Sequence, residues 1–171
     1  MVKVEFSEYK RIGTEFRRFR LQVINTYVDL CSVFGVTKLK DLRGLIDPIE
    51  HTMSKLDNCV FADYSYMDEM DISGCFYGRF GEPELELKKS GLPKKWHSKL
   101  TSNEYEVIND EIISLEKAAS ELCSEVQKLN KDKAIMEFVD SLGDILKLKN
   151  KIKEVMYKDC PTGLLKETVN C

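Results

Sequence analysis

Four carboxylates in the C-terminal half have the types and the spacing for metal chemistry. Glu121 and Glu125 are four residues apart, and so are Asp140 and Asp144. On a helix that spacing puts each pair on one face. If the two stretches fold back on one another, their oxygens can gather around Mg2+, a hard cation that prefers them. Thiols and imidazoles offer a second chemistry, since a Cys–His pair or a zinc site needs only that its members meet in space. The candidates are His51, Cys59, Cys75 and His97, but their intervals match no ligand spacing and no nucleophile signature surrounds them. "GCFYGRFG" contains glycines yet does not lead from a strand into a helix, as phosphate binding requires.

The strings around the acids sharpen the first possibility. "LEKAASEL", followed at hairpin distance by "VDSLGDIL", resembles the all-α nucleotide pyrophosphatases over about residues 112–150. The resemblance implies an acidic "EExxE"-type motif and then a "GD" motif, binding Mg2+ for cleavage of a nucleoside triphosphate. Lys117 and Ala118 stand where adjacent glutamates are expected, and Ser141 where an acid is expected. The apolar seam places Glu121 and Glu125 at heptad positions c and g, and Asp140 and Asp144 at f and c. Positions f and c lie on the outer face, and outward acids four apart usually form a solvated surface. No cofactor is therefore expected, with Mg2+ at these four acids as the alternative.

Two further patterns suit contact rather than catalysis. "DYSYMDEMD" sets Tyr64 and Tyr66 beside Asp63, Asp68, Glu69 and Asp71. Aromatic side chains give interface area at low entropic cost, and carboxylates so spaced can meet a basic partner. Arg11, Arg17, Arg18 and Arg20 form a basic face, interleaved with Phe16 and Phe19, while Lys88, Lys89, Lys94 and Lys95 surround Trp96. Basic groups beside aromatic rings can also grip nucleic acid. Charge falls in blocks: nine basic against five acidic residues over 1–45, two against ten over 46–87, and five lysines with no acid over 88–99. Segregated charge of this kind fits separate faces for separate contacts.

The elements that must carry these groups are mostly helical. Tyr9, Ile12, Phe16, Phe19, Val23, Tyr27, Leu30 and Phe34 recur at three-and-four spacing and predict a helix over about 7–34, stopped by Gly35. A second row, Leu21, Ile24, Val28 and Cys31, makes its C-terminal half apolar on most sides and predicts deep burial there. One helix or two short ones follow over about 38–56, interrupted at Pro48. Alternation in "VFADYSYM" and "ELELKK", with Gly74, Gly81 and Pro83 between, predicts a small antiparallel β insertion within 58–100. "TSNE" is a capping box ahead of a seam that runs from Tyr105 to Leu129. The spacing resumes from Ile135 to Met156, which predicts an antiparallel helical hairpin over 101–159.

The bulk numbers agree with that plan. A chain of 171 residues with 43% hydrophobic and 32% charged residues suits one globular domain with a real core. Its parts would be N-terminal helices over 1–57, the insertion over 58–100, the hairpin over 101–159 and a tail over 160–171. The net charge of −3 recruits no partner by itself. No apolar run approaches a membrane span, the first residues lack a secretory leader, and the six scattered cysteines suit free, mostly buried thiols. The expected setting is the cytoplasm, without membrane contact. The expectation is thus a mainly α (α+β) chain acting as a non-catalytic protein-interaction module, an inhibitor or regulator that occupies a charged surface of a protein partner. A nucleic-acid binder and a Mg2+-dependent pyrophosphatase are the alternatives. A second copy could close the seam of the hairpin, giving a homodimer.

Overall fold

In a computed structural model, described at residues 4–67, 72, 74–78 and 100–159, the first long apolar period is one helix, α1, Phe6–Phe34. It buries Tyr9, Ile12, Phe16, Phe19, Val23 and Leu30 on one side. It stops at Gly35, whose φ of 77° is open to glycine and whose N–H returns to the Cys31 carbonyl. The second apolar row does not sink into the core as its composition predicts. Leu21, Ile24 and Cys31 are only half-buried and Val28 is 58% exposed, because the neighbouring helices lie against the Tyr9–Leu30 side.

A 3-10 turn, Val36–Leu39, leads into the short α2, Lys40–Gly44, and then α3, Ile46–Asp63. The chain breaks at Leu45 rather than at Pro48, which sits inside the first turn of α3 where its missing N–H has no partner to lose. Among the described residues of this region the β insertion does not form. Residues 58–63 complete α3, residues 74–77 are turns, and no strand occurs among the described residues. Ile49, Met53, Leu56 and Val60 are a helical stripe that carries on through the supposed alternation, and their burial decides the conformation. "ELELKK" lies outside the described residues.

The C-terminal half follows its periodicity more closely. α4, Ser102–Gln127, opens on the capping box: Thr101 accepts from the Glu104 N–H, and the Glu104 carboxylate accepts from the Thr101 N–H. All eight seam residues from Tyr105 to Leu129 are buried. The turn passes through Asn130 at a φ of 51°, a conformation that asparagine tolerates. The return arm is two helices almost in line, α5, Asp132–Ser141, and α6, Gly143–Asp159, with Leu142 between them still near helical geometry.

Side-chain pairs give the direction of each packing. Tyr9 meets Asp63 and Arg20 meets Glu50, so α1 and α3 are antiparallel. Arg11 meets Glu125 and Thr26 meets Glu111, so α1 and α4 are antiparallel. Lys55 meets Glu137 and Lys131 meets Asp63, which sets α5 against α3. Lys149 meets Glu116, and the Tyr105 hydroxyl donates to Asp159, which sets α6 against α4. The described residues therefore form four rods, α1, α3, α5–α6 and α4, in which every neighbour runs the opposite way. Phe138 holds the centre, edge-on to Phe16 and Phe19 at ring distances of 5.3 and 5.8 Å. A phenylalanine buried at such a node is worth about 3–5 kcal/mol against alanine.

α3 and α4 occupy opposite corners and run in the same direction, so the chain between them must travel the length of the bundle. Its described part climbs along α1 and α3. Tyr64 touches Phe6 and Tyr9, Cys75 and Phe76 press on α1 at Gly13 and Phe16, and Tyr77 donates to the Glu50 carbonyl.

Candidate functional site

The acidic and aromatic stretch begins where α3 ends. Tyr64, with φ −128° and ψ 32°, leaves the helix while its N–H still reaches the Val60 carbonyl, and the Met67 N–H then returns to the Tyr64 carbonyl. That tight turn sends Tyr64 inward and Tyr66 outward. Tyr64 is buried, its hydroxyl donating to the Val4 carbonyl at 2.6 Å. Its ring packs against Phe6 at 5.2 Å, Tyr9 at 6.4 Å and Tyr66 at 6.0 Å. Tyr66 is 74% exposed. The result is an aromatic tier rooted in the core with its last ring in solvent, beside Lys10 lying over the Phe6 ring.

Asp63 belongs to the same corner but serves the fold. It accepts from the Tyr9 hydroxyl at 2.7 Å and pairs with Lys131 at 2.9 Å, tying α1, α3 and the α4–α5 turn together. Burial first, and then the hydrogen bond to Asp63, push the Tyr9 phenol far above its usual range. Asp68, Glu69 and Asp71 lie outside the described residues.

The arginine face is largely engaged within the chain. Arg17 donates to the Gly74 and Cys75 carbonyls and to Thr14, clamping the connection onto α1. Arg20 makes a forked contact with Glu50 on α3. Arg11 bridges Glu8 and Glu125, and Arg18 pairs with Glu15 near the surface. Sequence spacing showed that these cations share a helix, but not that carboxylates and carbonyls of other elements would be waiting. The second basic cluster, Lys88, Lys89, Lys94, Lys95 and Trp96, lies outside the described residues.

The four candidate metal ligands do not come together. Glu125 is held by Lys128 and Arg11, whose hydrogen bonds lower its pKa. Glu121 lies near Lys117, Asp144 pairs with Lys147, and Asp140 is exposed. Among the described residues no three or more His, Cys, Asp or Glu side chains are grouped as a metal would need. His51 contacts Glu137 at 2.9 Å rather than a thiol. No disulfide joins Cys31, Cys59, Cys75 and Cys123 to one another, and of the four Cys75 alone is buried. His97 is outside the described residues.

Two carboxylates that sequence reasoning passed over stand out by burial. Asp57 and Glu111 each keep one buried oxygen without a hydrogen-bond partner. Desolvation raises the pKa of both; at Glu111 the Thr26 hydroxyl opposes the shift and the charge of Asp29 adds to it. Glu111 could have been suspected, since it directly precedes the seam residue Ile112. A cleft of about 320 Å³ opens at the same end of the bundle as Tyr66, between α1 and the end of α4, lined by Glu5, Glu8, Arg11, Glu125, Lys128 and Asn130. Its charges already pair across it.

No helix among the described residues is long and apolar enough to cross a membrane. What fold and surface define is an antiparallel helical bundle with an exposed aromatic corner. Set against known protein families, curated proteins and solved structures, the chain matches none of them.

Proposed function

We propose that the chain is a protein-interaction module that regulates its target, by inhibition where the surface it covers is a working one. The observation that carries this reading is Tyr66, 74% exposed yet packed at a tilt on the buried Tyr64 ring, which itself rests on Phe6 and Tyr9. A ring held from behind and open in front loses little conformational freedom on binding, which is the property of an aromatic hot spot. The acids that follow it, Asp68, Glu69 and Asp71, set the chemistry of the partner as a basic protein surface. The arginines support the bundle, with Arg18 the one nearest solvent.

The test is quantitative capture of one prey from a lysate of the source cells, with the full chain as bait. Tyr66→Ala, and separately charge reversal at Asp68, Glu69 and Asp71, should each weaken capture of that same prey about tenfold or more, a loss of about 1.4 kcal/mol. EDTA should leave capture unchanged. Capture indifferent to both variants overturns the reading. So does Mg2+-dependent turnover of a nucleoside triphosphate that Glu121→Ala or Asp144→Ala abolishes, or salt-sensitive nucleic-acid binding that Arg18→Ala or Lys95→Ala weakens.

A further inference from the structure

We propose that the outer face of the α4 and α5–α6 pair is the two-fold interface of a homodimer. The seam itself is not available for this, because Tyr105 to Leu129 are consumed inside the chain against α1 and the return arm. The face in question is the opposite one. Met136, Val139, Gly143 and Leu146 recur three, four and three residues apart, and Tyr157 lies three turns beyond Leu146 on the same side. Met136 is 63% exposed, Leu146 53% and Tyr157 49%, and α4 contributes Ile113 at 44%. A shallow apolar hollow of about 260 Å³ lies at the Met136 end, lined by Gln127, Ile135, Met136 and Val139 among others. At Gly143 a Cβ would meet nothing within 4 Å, so the stripe has a gap that can receive a side chain from outside.

Charge selects a second copy over an unrelated partner. α4 carries seven acids and one lysine, whereas α6 carries five lysines and three acids. One acidic rod beside one basic rod is a self-complementary surface, which an isologous contact requires. A two-fold axis along the bundle lays α4 of each copy, antiparallel, over α6 of the other and keeps every residue at its own height. Those heights are fixed inside the chain by Glu116 with Lys149 and Tyr105 with Asp159. By that register Asp110 stands level with Lys153, and Glu106 with Lys158. None of these four has an ion-pair partner among the described residues. Two rods roughly 40 Å long and about 20 Å wide together offer about 800 Å² per copy, the size a stable dimer needs. The inference does not rest on the partner-binding reading, whose Tyr66 corner lies on the α1–α3 side.

The full chain should sediment at twice the 19.7 kDa of one copy. Leu146→Glu, at a side chain half in solvent, should raise the dimer dissociation constant at least tenfold while the helical circular dichroism stays that of the parent. Asp110→Lys and Lys153→Glu should each weaken the dimer, and the double variant should recover it, a result that a merely structural effect cannot give. A chain that stays monomeric at about 100 μM overturns the proposal. So does a dimer that neither Leu146→Glu nor the charge exchange disturbs.

Discussion

Replacing Gly13 by alanine sets two physical effects against each other with opposite signs. In an open helix the change gains about 1 kcal/mol, because alanine loses less conformational freedom on folding. At Gly13 the new Cβ would stand 1.8 Å from the Cys75 carbonyl oxygen, 2.7 Å from its carbon and 3.2 Å from the Phe76 Cα. Ordinary contact needs about 3.4 Å, so the connecting backbone must retreat by roughly 1.5 Å. That backbone cannot move alone. Its carbonyls at Gly74 and Cys75 accept from Arg17, and Phe76 is fully buried with its ring 6.1 Å from Phe16. Overpacking costs about 1–3 kcal/mol, and weakening hydrogen bonds to a charged group adds about 1.5–3 kcal/mol. Even after the helix gain, Gly13→Ala should destabilise by about 1.5–5 kcal/mol. Urea unfolding followed by circular dichroism reads this directly, and the buried Cys75 should become more reactive to a thiol reagent as mapped by mass spectrometry. Gly143→Ala is the control for space: with nothing within 4 Å it should not lose stability. A Gly13→Ala chain as stable as the parent, or more stable, would refute the packing of the connection on α1.

Two other substitutions test the interior. Thr52 is fully buried and its hydroxyl has no partner, so Thr52→Val should stabilise by about 1 kcal/mol in the same urea assay; a loss of that size would show that the hydroxyl is satisfied. Burial holds the Asp57 carboxyl above its ordinary range, so its contribution to stability is complete below the unfolded value near 4 and is lost as pH rises through the raised one. Asp57→Asn escapes that loss and should be the more stable chain at about pH 7, with the difference closing near pH 3; an equal difference at both would remove the charge argument.

Helices were legible where one apolar stripe met one neighbour. The reading of α1 as 7–34 falls within a residue of Phe6–Phe34, and the capping box at Thr101 marked the start of α4. The seam from Tyr105 onward is buried throughout, since its period was long enough to exclude a strand. The end of α3 was misread because Ala62, Tyr64 and Tyr66 imitate alternation over a window too short to judge. Extending the Ile49, Met53, Leu56 and Val60 stripe by one step reaches Tyr64, which is also buried. The second row of α1 was misread for another reason. Apolar character on two sides of a helix says that both can be covered, but which one is covered depends on how many neighbours the fold supplies. Within the candidate site, exposure of Tyr66 and burial of Tyr64 turn on the backbone geometry at one residue, which no periodicity encodes.

The placement of α3 and α4 at opposite corners explains why the arginine face reads differently in sequence and in space. Had the two helices been neighbours, a short loop would have joined them and the Arg17 side of α1 would face water. The described part of the connection passes along α1, and its carbonyls need donors there. Arg17 supplies them at Gly74 and Cys75, and Gly13 supplies the room one turn earlier. Arg20, one turn further on, meets Glu50 on α3, the residue whose carbonyl accepts from Tyr77. Two members of a row that looks like a binding stripe in sequence, Arg17 and Arg20, thus stand along the path of the described connection, while Arg11 and Arg18 pair elsewhere. The two surfaces proposed above, the Tyr66 corner and the outer faces of α4 and α6, are apart from the contacts that the described connection makes at Gly13, Arg17 and Glu50.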